Sequence, residues 1–124
     1  MKAKEIVKLL DANEIHVANK EWLEKEYEIA ASCDLMSDCL ALISRNQSNT
    51  VMLTGLCNVQ ALRTAEMIDV ELLIFTRGKM LDYDTLQMVD EFNVNIFTTS
   101  CTLFEASGLL FKSGMKPIDF DRKI

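Results

Sequence analysis

Leu72-Leu73-Ile74-Phe75-Thr76 decides the fold. The run is apolar up to its last residue and is too short for a helix. A short apolar run of this kind reads as a strand. Residues 27–32, 51–54 and 95–98 follow the same plan, and each also ends on a hydroxyl residue. These hydroxyls are Ser32, Thr54, Thr76 and Thr98, at a constant interval of 22 residues. A helix-like segment follows every run. Short apolar runs separated in this way predict βαβ units with parallel pairing. Right-handed crossovers would then bring all four hydroxyls to one edge, the carboxyl ends of the strands. The expected fold is α/β: one three-layer domain around a mostly parallel sheet.

The intervening segments carry helical spacing. Ile6, Leu9 and Leu10 mark a first helix; Met36, Leu40 and Ile43 a second; Ala61, Leu62, Ala65 and Ile68 a third. Asp82 suits an N-cap, with Leu81 and Leu86 placed as a hydrophobic staple. Thr102 and Glu105 form a capping box ahead of Leu103, Ala106 and Leu110, and Gly114 fits the residue just past that helix. Residues 14–18 alternate weakly, as a short strand does, and residues 19–26 suit a turn or a short helix. With 4 Gly, 1 Pro and no low-complexity run, residues 1–116 form one domain. Pro117 then stops further helix, and residues 117–124 are expected to be a loose tail.

Composition narrows the function. The chain has 124 residues, 49% hydrophobic and 26% charged, enough for a real core and too apolar for disorder. A formal net charge of −6 opposes nucleic-acid binding, which needs a basic face; Lys2, Lys4 and Lys8 read as a solvated helix face. No apolar stretch nears the ~20 residues that a membrane-spanning helix requires. Met1-Lys2-Ala3-Lys4-Glu5 lacks the apolar core of a secretion signal, so the cytoplasm is the expected compartment. In that compartment Asn46-Gln47-Ser48 has no meaning as a glycosylation acceptor. Cys33, Cys39, Cys57 and Cys101 contain no C-x-x-C pair, and a cytosolic disulfide is not expected, so they read as packed thiols. The scattered methionines at 36, 52, 67, 80 and 88 read as core filler.

Ligands of open parallel sheets sit beyond the carboxyl ends of the strands. That edge offers Asp34, Ser37 and Asp38; Thr54, Gly55 and Asn58; Arg77, Gly78 and Lys79; and Thr98, Thr99 and Thr102. The candidate ligand contacts are Asp34, Ser37, Thr54, Gly55, Asn58, Arg77, Gly78, Thr98 and Thr99. Helix N-termini, an arginine fork and glycines that permit close backbone approach suit a nucleotide or small phosphate. Helix capping and turn formation alone also call for these residue types. No catalytic set emerges. His16 has no partner in the sequence, there is no G-x-x-x-x-G-K or G-x-G-x-x-G, and no metal-ligand spacing is present. Asp34 and Asp38 could hold Mg²⁺, but they equally favour a helix N-terminus. No enzyme activity, cofactor or metal is expected.

Several runs resemble the DRTGG domain family in their order. They are Asp34-Leu35-Met36-Ser37-Asp38, Leu53-Thr54-Gly55-Leu56, Asn58-Val59-Gln60, Arg63-Thr64-Ala65-Glu66-Met67 and Phe75-Thr76-Arg77-Gly78-Lys79. Thr98-Thr99, Thr102, Phe104-Glu105-Ala106 and Gly108 continue the likeness, which covers most of residues 27–114. Where the family often has Thr-Gly-Gly, this chain has Glu28-Ile29-Ala30, which removes the backbone freedom of both glycines. The resemblance is to small stand-alone clostridial-type members. It implies a fold like the N-terminal domain of HPr kinase and an accessory, non-catalytic role in regulation or assembly. It also implies a homodimer and a partner enzyme in a metabolic or hydrogenase-type redox system. The alternative is a sensor of an adenine nucleotide or another small phosphate ligand.

Overall fold

The computed structural model describes residues 1–43 and 49–118. Asn46-Gln47-Ser48 and residues 119–124 of the expected tail lie outside the described residues.

The strands are β1 (Asn13–His16), β2 (Ile29–Ser32), β3 (Thr50–Thr54), β4 (Leu72–Phe75) and β5 (Asn95–Thr98). They form one sheet in the order β1-β5-β4-β3-β2. β2 to β5 are parallel, and β1 closes the far edge antiparallel to β5. The helices are α1 (Ala3–Leu9), α2 (Met36–Leu42), α3 (Val59–Met67), α4 (Tyr83–Leu86) and α5 (Leu103–Lys112). One-turn 3₁₀ helices at Lys20–Leu23 and Val89–Glu91 complete the set.

β2 to β5 lie side by side in chain order, so their right-handed crossovers all fall on one face. That face holds the core of Met36, Cys39, Ala61, Leu62, Ala65, Leu81 and Val89 against Met52, Leu73, Phe75 and Ile96. α1 and α5 cover the other face, where Ala3, Ile6, Leu10, Ala106 and Leu110 meet Val51, Leu53, Leu72, Ile74 and Phe97. Alternate residues of each strand therefore feed opposite cores, and every residue of β3 and β4 is buried. This explains the unbroken apolar runs. The α/β architecture with a mostly parallel sheet is as the sequence predicts.

The interval of 22 does not match the pairing. Ile29 pairs with Thr50, Val51 with Leu72, and Leu72 with Asn95, which are separations of 21, 21 and 23. Thr54 and Thr98 consequently share a row with Phe75 between them, whereas Thr76 lies one step beyond β4. All three finish at the same rim. By strand alternation Thr54 and Thr98 face the α2–α3–α4 side, and Thr76 and Thr99 face the α1–α5 side.

Several expectations are corrected. Cys33 and Cys39 form a disulfide, whereas Cys57 and Cys101 are free. The turn from β2 into α2 brings the two sulfurs together, and no spacing motif signals it. Cys39 takes the buried position expected for Leu40, which is exposed. Met67 and Met80 are exposed, so neither is core filler. α4 is one turn long, with Asp82 capping it by accepting from the Thr85 N–H at 2.8 Å. Leu9 lies at the margin of its helix's buried face, which is Ala3, Ile6 and Leu10. Beyond α5, Lys116 bridges to Ile29 beside β2, and Ile118 is buried in the core, so Pro117 does not mark the start of unpacked chain.

Candidate functional site

At the carboxyl rim, on the α5 side, lies a cleft of about 550 Å³ lined by Asp34, Gly55, Leu56, Thr76, Arg77, Lys79 and residues 102–104. Its floor is the turn after β3. Thr54 Oγ1 accepts the Leu56 N–H at 3.1 Å, and Asp34 Oδ1 accepts the Gly55 N–H at 2.8 Å. A Cβ on Gly55 would stand 3.2 Å from Asp34 Oδ1 and 3.5 Å from Thr76 Oγ1. The glycine thus leaves space that the carboxylate and the hydroxyl both border.

The wall is the turn after β4. Arg77 and Gly78 have φ of 63° and 65°, the left-handed region in which an arginine is uncommon. Two backbone bonds hold them there: Arg77 N–H donates to the Cys101 carbonyl and Gly78 N–H to the Thr99 carbonyl, both at 2.7 Å. The Lys79 ammonium reaches across to the Gly55 carbonyl at 2.9 Å. Lys79 is itself anchored by its own carbonyl, which accepts from Thr98 Oγ1 at 2.7 Å.

The roof is the start of α5. Thr102 Oγ1 accepts the Glu105 N–H at 3.1 Å, and the Glu105 carboxylate accepts the Thr102 N–H at 3.0 Å. This pairing holds the Glu105 carboxyl below its usual range. The N–H groups of Leu103 and Phe104 belong to the first turn, which has no acceptor inside the helix.

Thr76 sets this cleft apart from a set of caps. Its side chain is fully buried, and Oγ1 has no hydrogen-bond partner among the described residues. Buried polar groups are nearly always paired, and an unpaired one costs about 1–3 kcal/mol. The Thr76 hydroxyl lines the cleft together with Arg77, Lys79, whose ammonium is bonded to the Gly55 carbonyl, and the Asp34 carboxylate.

The sequence-predicted contacts separate into two groups. Asp34, Gly55 and Arg77 line the cleft. Thr54, Asn58, Thr98 and Thr99 do not line it: Thr54 and Thr98 brace its floor and wall, Asn58 caps α3 through the Ala61 N–H, and Thr99 Oγ1 donates to the Leu10 carbonyl. Ser37 is exposed in the first turn of α2, and Gly78 shapes the turn. Leu56, Thr76, Lys79, Thr102, Leu103 and Phe104 are the lining residues absent from the predicted contacts. Thr76 was legible as a strand-ending hydroxyl, but only the register shows which face it takes.

His16 pairs with Ile96 on an edge strand, back from the rim. Burial pushes the Cys57 thiol up to about 11, so it is protonated at neutral pH and is not an activated nucleophile. Among the described residues no group of three His, Cys, Asp or Glu side chains could hold a metal. No helix of the described residues is long and apolar enough to cross a membrane.

No protein-family model matches this sequence, and no curated protein does. Among solved structures, the chain is similar to the CBS and DRTGG domains of the regulatory region of a Clostridium perfringens pyrophosphatase, complexed with its activator, diadenosine tetraphosphate. The TM-score is 0.66 and the identity 18%, covering 90% of this chain and 46% of that one. The chain thus spans about half the length of that neighbour, and the likeness establishes the fold.

Proposed function

We propose that this chain is a non-catalytic regulatory module of DRTGG type that senses an adenine nucleotide or another small phosphate ligand at the cleft above Gly55. The observation that carries the reading is the buried, unpartnered Thr76 hydroxyl beside Arg77 and Lys79. The fold neighbour supports it: that regulatory region is complexed with a nucleotide activator. Arg77 would bind the ligand's charge, Thr76 and the first-turn amides of α5 its oxygens, and Asp34 would hold the floor. The enzyme so regulated would be the partner.

Thermal unfolding with pyrophosphate, ATP and diadenosine tetraphosphate tests this. A ligand at 100 times its Kd raises stability by about 2.7 kcal/mol. Arg77→Gly keeps the left-handed backbone without strain and should abolish the rise while leaving the unliganded Tm within a few degrees. No shift with any of the three ligands at millimolar concentration overturns the reading.

A homodimer through the outer face of α5 is a second, compatible proposal. Phe104 and Phe111 are 88% and 71% exposed there. With Gly108 they border an apolar groove of about 320 Å³ against Ala30, Met115 and Pro117. Exposed aromatics beside a small-residue notch are the kind of apolar surface that a two-fold interface covers. Light scattering should give twice the chain mass at micromolar concentration, and Phe111→Glu should give the monomer. A wild-type monomer rejects the dimer.

A further inference from the structure

We propose that Cys33 and Cys39 are a redox-exchangeable pair through which a cellular dithiol sets the geometry of the cleft, a regulation that rests on the ligand reading above. Cys33 directly follows β2, where its N–H donates to the Leu53 carbonyl at 3.1 Å. Cys39 lies on α2 and is fully buried. Their bond closes a ring around residues 34–38, and Asp34 is the first residue inside it. Asp34 Oδ1 in turn holds the Gly55 N–H at 2.8 Å and borders the space beside Thr76 Oγ1. One covalent bond thus stands a single residue away from the floor of the cleft.

Besides the disulfide, the described anchors of the ring are buried Met36 and the Asp34 Oδ1 contacts with the Gly55 N–H at 2.8 Å and Thr54 Oγ1 at 3.5 Å. The N-cap of α2 is Leu35, which is exposed and offers no side-chain cap to the helix. Ser37 and Asp38 are also exposed, and only Met36 of the five enclosed residues is buried. Opening the bond would loosen Asp34, leaving it the Gly55 N–H and Thr54 Oγ1 contacts, with β3 and β4, buried at every residue, in place.

The exchange balances with a dithiol as the two-electron reductant. Its thiolate attacks Sγ of half-buried Cys33, forming a mixed disulfide and expelling Cys39 as a thiolate that takes up a proton. The second thiol of the reductant, as thiolate, then attacks its own sulfur in the mixed disulfide and expels Cys33, which is protonated in turn. The chain gains two thiols and the dithiol leaves as a disulfide.

The full chain, purified without reductant, is compared before and after native incubation with dithiothreitol. Thiol titration after denaturation should give two thiols before, Cys57 and Cys101, and four after. Hydrogen exchange at the Gly55 amide should quicken at least tenfold on reduction, with the Ile74 amide unchanged. Affinity for pyrophosphate, the probe, should fall at least threefold. Cys33→Ser should reproduce the reduced state without disturbing a fully buried position. Four thiols before reduction, two after it, or equal Gly55 exchange in both states overturns the proposal. If pyrophosphate binds neither state while thiol count and exchange behave as stated, the ligand reading fails and the redox coupling of the rim stands.

Discussion

Thr76 is the residue at which fold stability and the proposed ligand role can be separated. Its hydroxyl is buried without a partner among the described residues, so the unliganded fold carries the cost of an unmet hydrogen bond. Valine has the same shape and no such requirement. Thr76→Val should therefore leave unliganded stability unchanged or raise it by up to about 1 kcal/mol in chemical unfolding. The same substitution should remove most of the thermal shift that pyrophosphate or ATP produces. A variant that is destabilised would show that Thr76 already has a partner within the fold, and one that still binds fully would place the ligand elsewhere. Cys57 responds to pH in the opposite manner to a reactive thiol. Its folded-state pKa is raised by burial to about 11 from an ordinary 9.0, so the folded state binds that proton more tightly than the unfolded state. Its contribution is complete below pH 9 and is lost as pH rises towards 11. Comparing wild type with Cys57→Ala, their difference in stability should be flat from pH 7 to 9 and shrink above it.

At the scale of the element, α5 shows how a legible signal and an illegible one coexist in one helix. The capping box of Thr102 and Glu105 was readable because its chemistry is local: each side chain bonds the other's backbone N–H three residues away. Glu105 is fully exposed, and its carboxyl is held low by the Thr102 N–H. A folded-state pKa below the unfolded value of 4.5 means the carboxylate's contribution is present above that pH and is lost as pH falls through the folded-state value. Wild type should accordingly melt above Glu105→Gln at pH 7, and the gap should close as pH drops below about 4.5; a gap independent of pH would remove the ionised cap from the account. What the sequence does not show is that the same helix end meets the turns after β3 and β4. That meeting depends on α5 crossing the face opposite α2, α3 and α4. Chain order alone does not specify this crossing, because β1 rather than another parallel strand lies beside β5. The disulfide escaped for a similar reason: strand and helix ends six residues apart meet only through the β2–α2 turn.

For the whole molecule, two features decide how much of the chain the fold uses. The monotonic order of β2 to β5 puts three crossovers on one face, and the two ends of the described chain settle beside β2, the exposed edge of the sheet. There the Tyr27 N–H donates to the Met1 carbonyl at 2.7 Å, the Lys116 N–H to the Glu28 carbonyl at 2.8 Å, and the Ala30 N–H to the Lys116 carbonyl at 3.0 Å. Covering an edge strand removes a template for aggregation, and the cover holds only if its own side chains are anchored. The anchors are Met115 in the α1–α5 core and Ile118 in the opposite one, so the segment after α5 pins both layers. Pro117 stops further helix through its missing N–H, but that says nothing against packing of the segment around it, which pairs through Lys116 and buries Ile118. Truncating a buried isoleucine to alanine costs about 2–5 kcal/mol, and Ile118, near the end of the described chain, belongs at the lower limit. At this chain length a loss of about 2 kcal/mol lowers Tm by roughly 8 °C. Ile118→Ala should therefore melt about 8 °C below wild type and expose the β2 edge, seen as faster hydrogen exchange at the Ala30 amide. A variant that melts with wild type would show that the sheet edge does not need this cover.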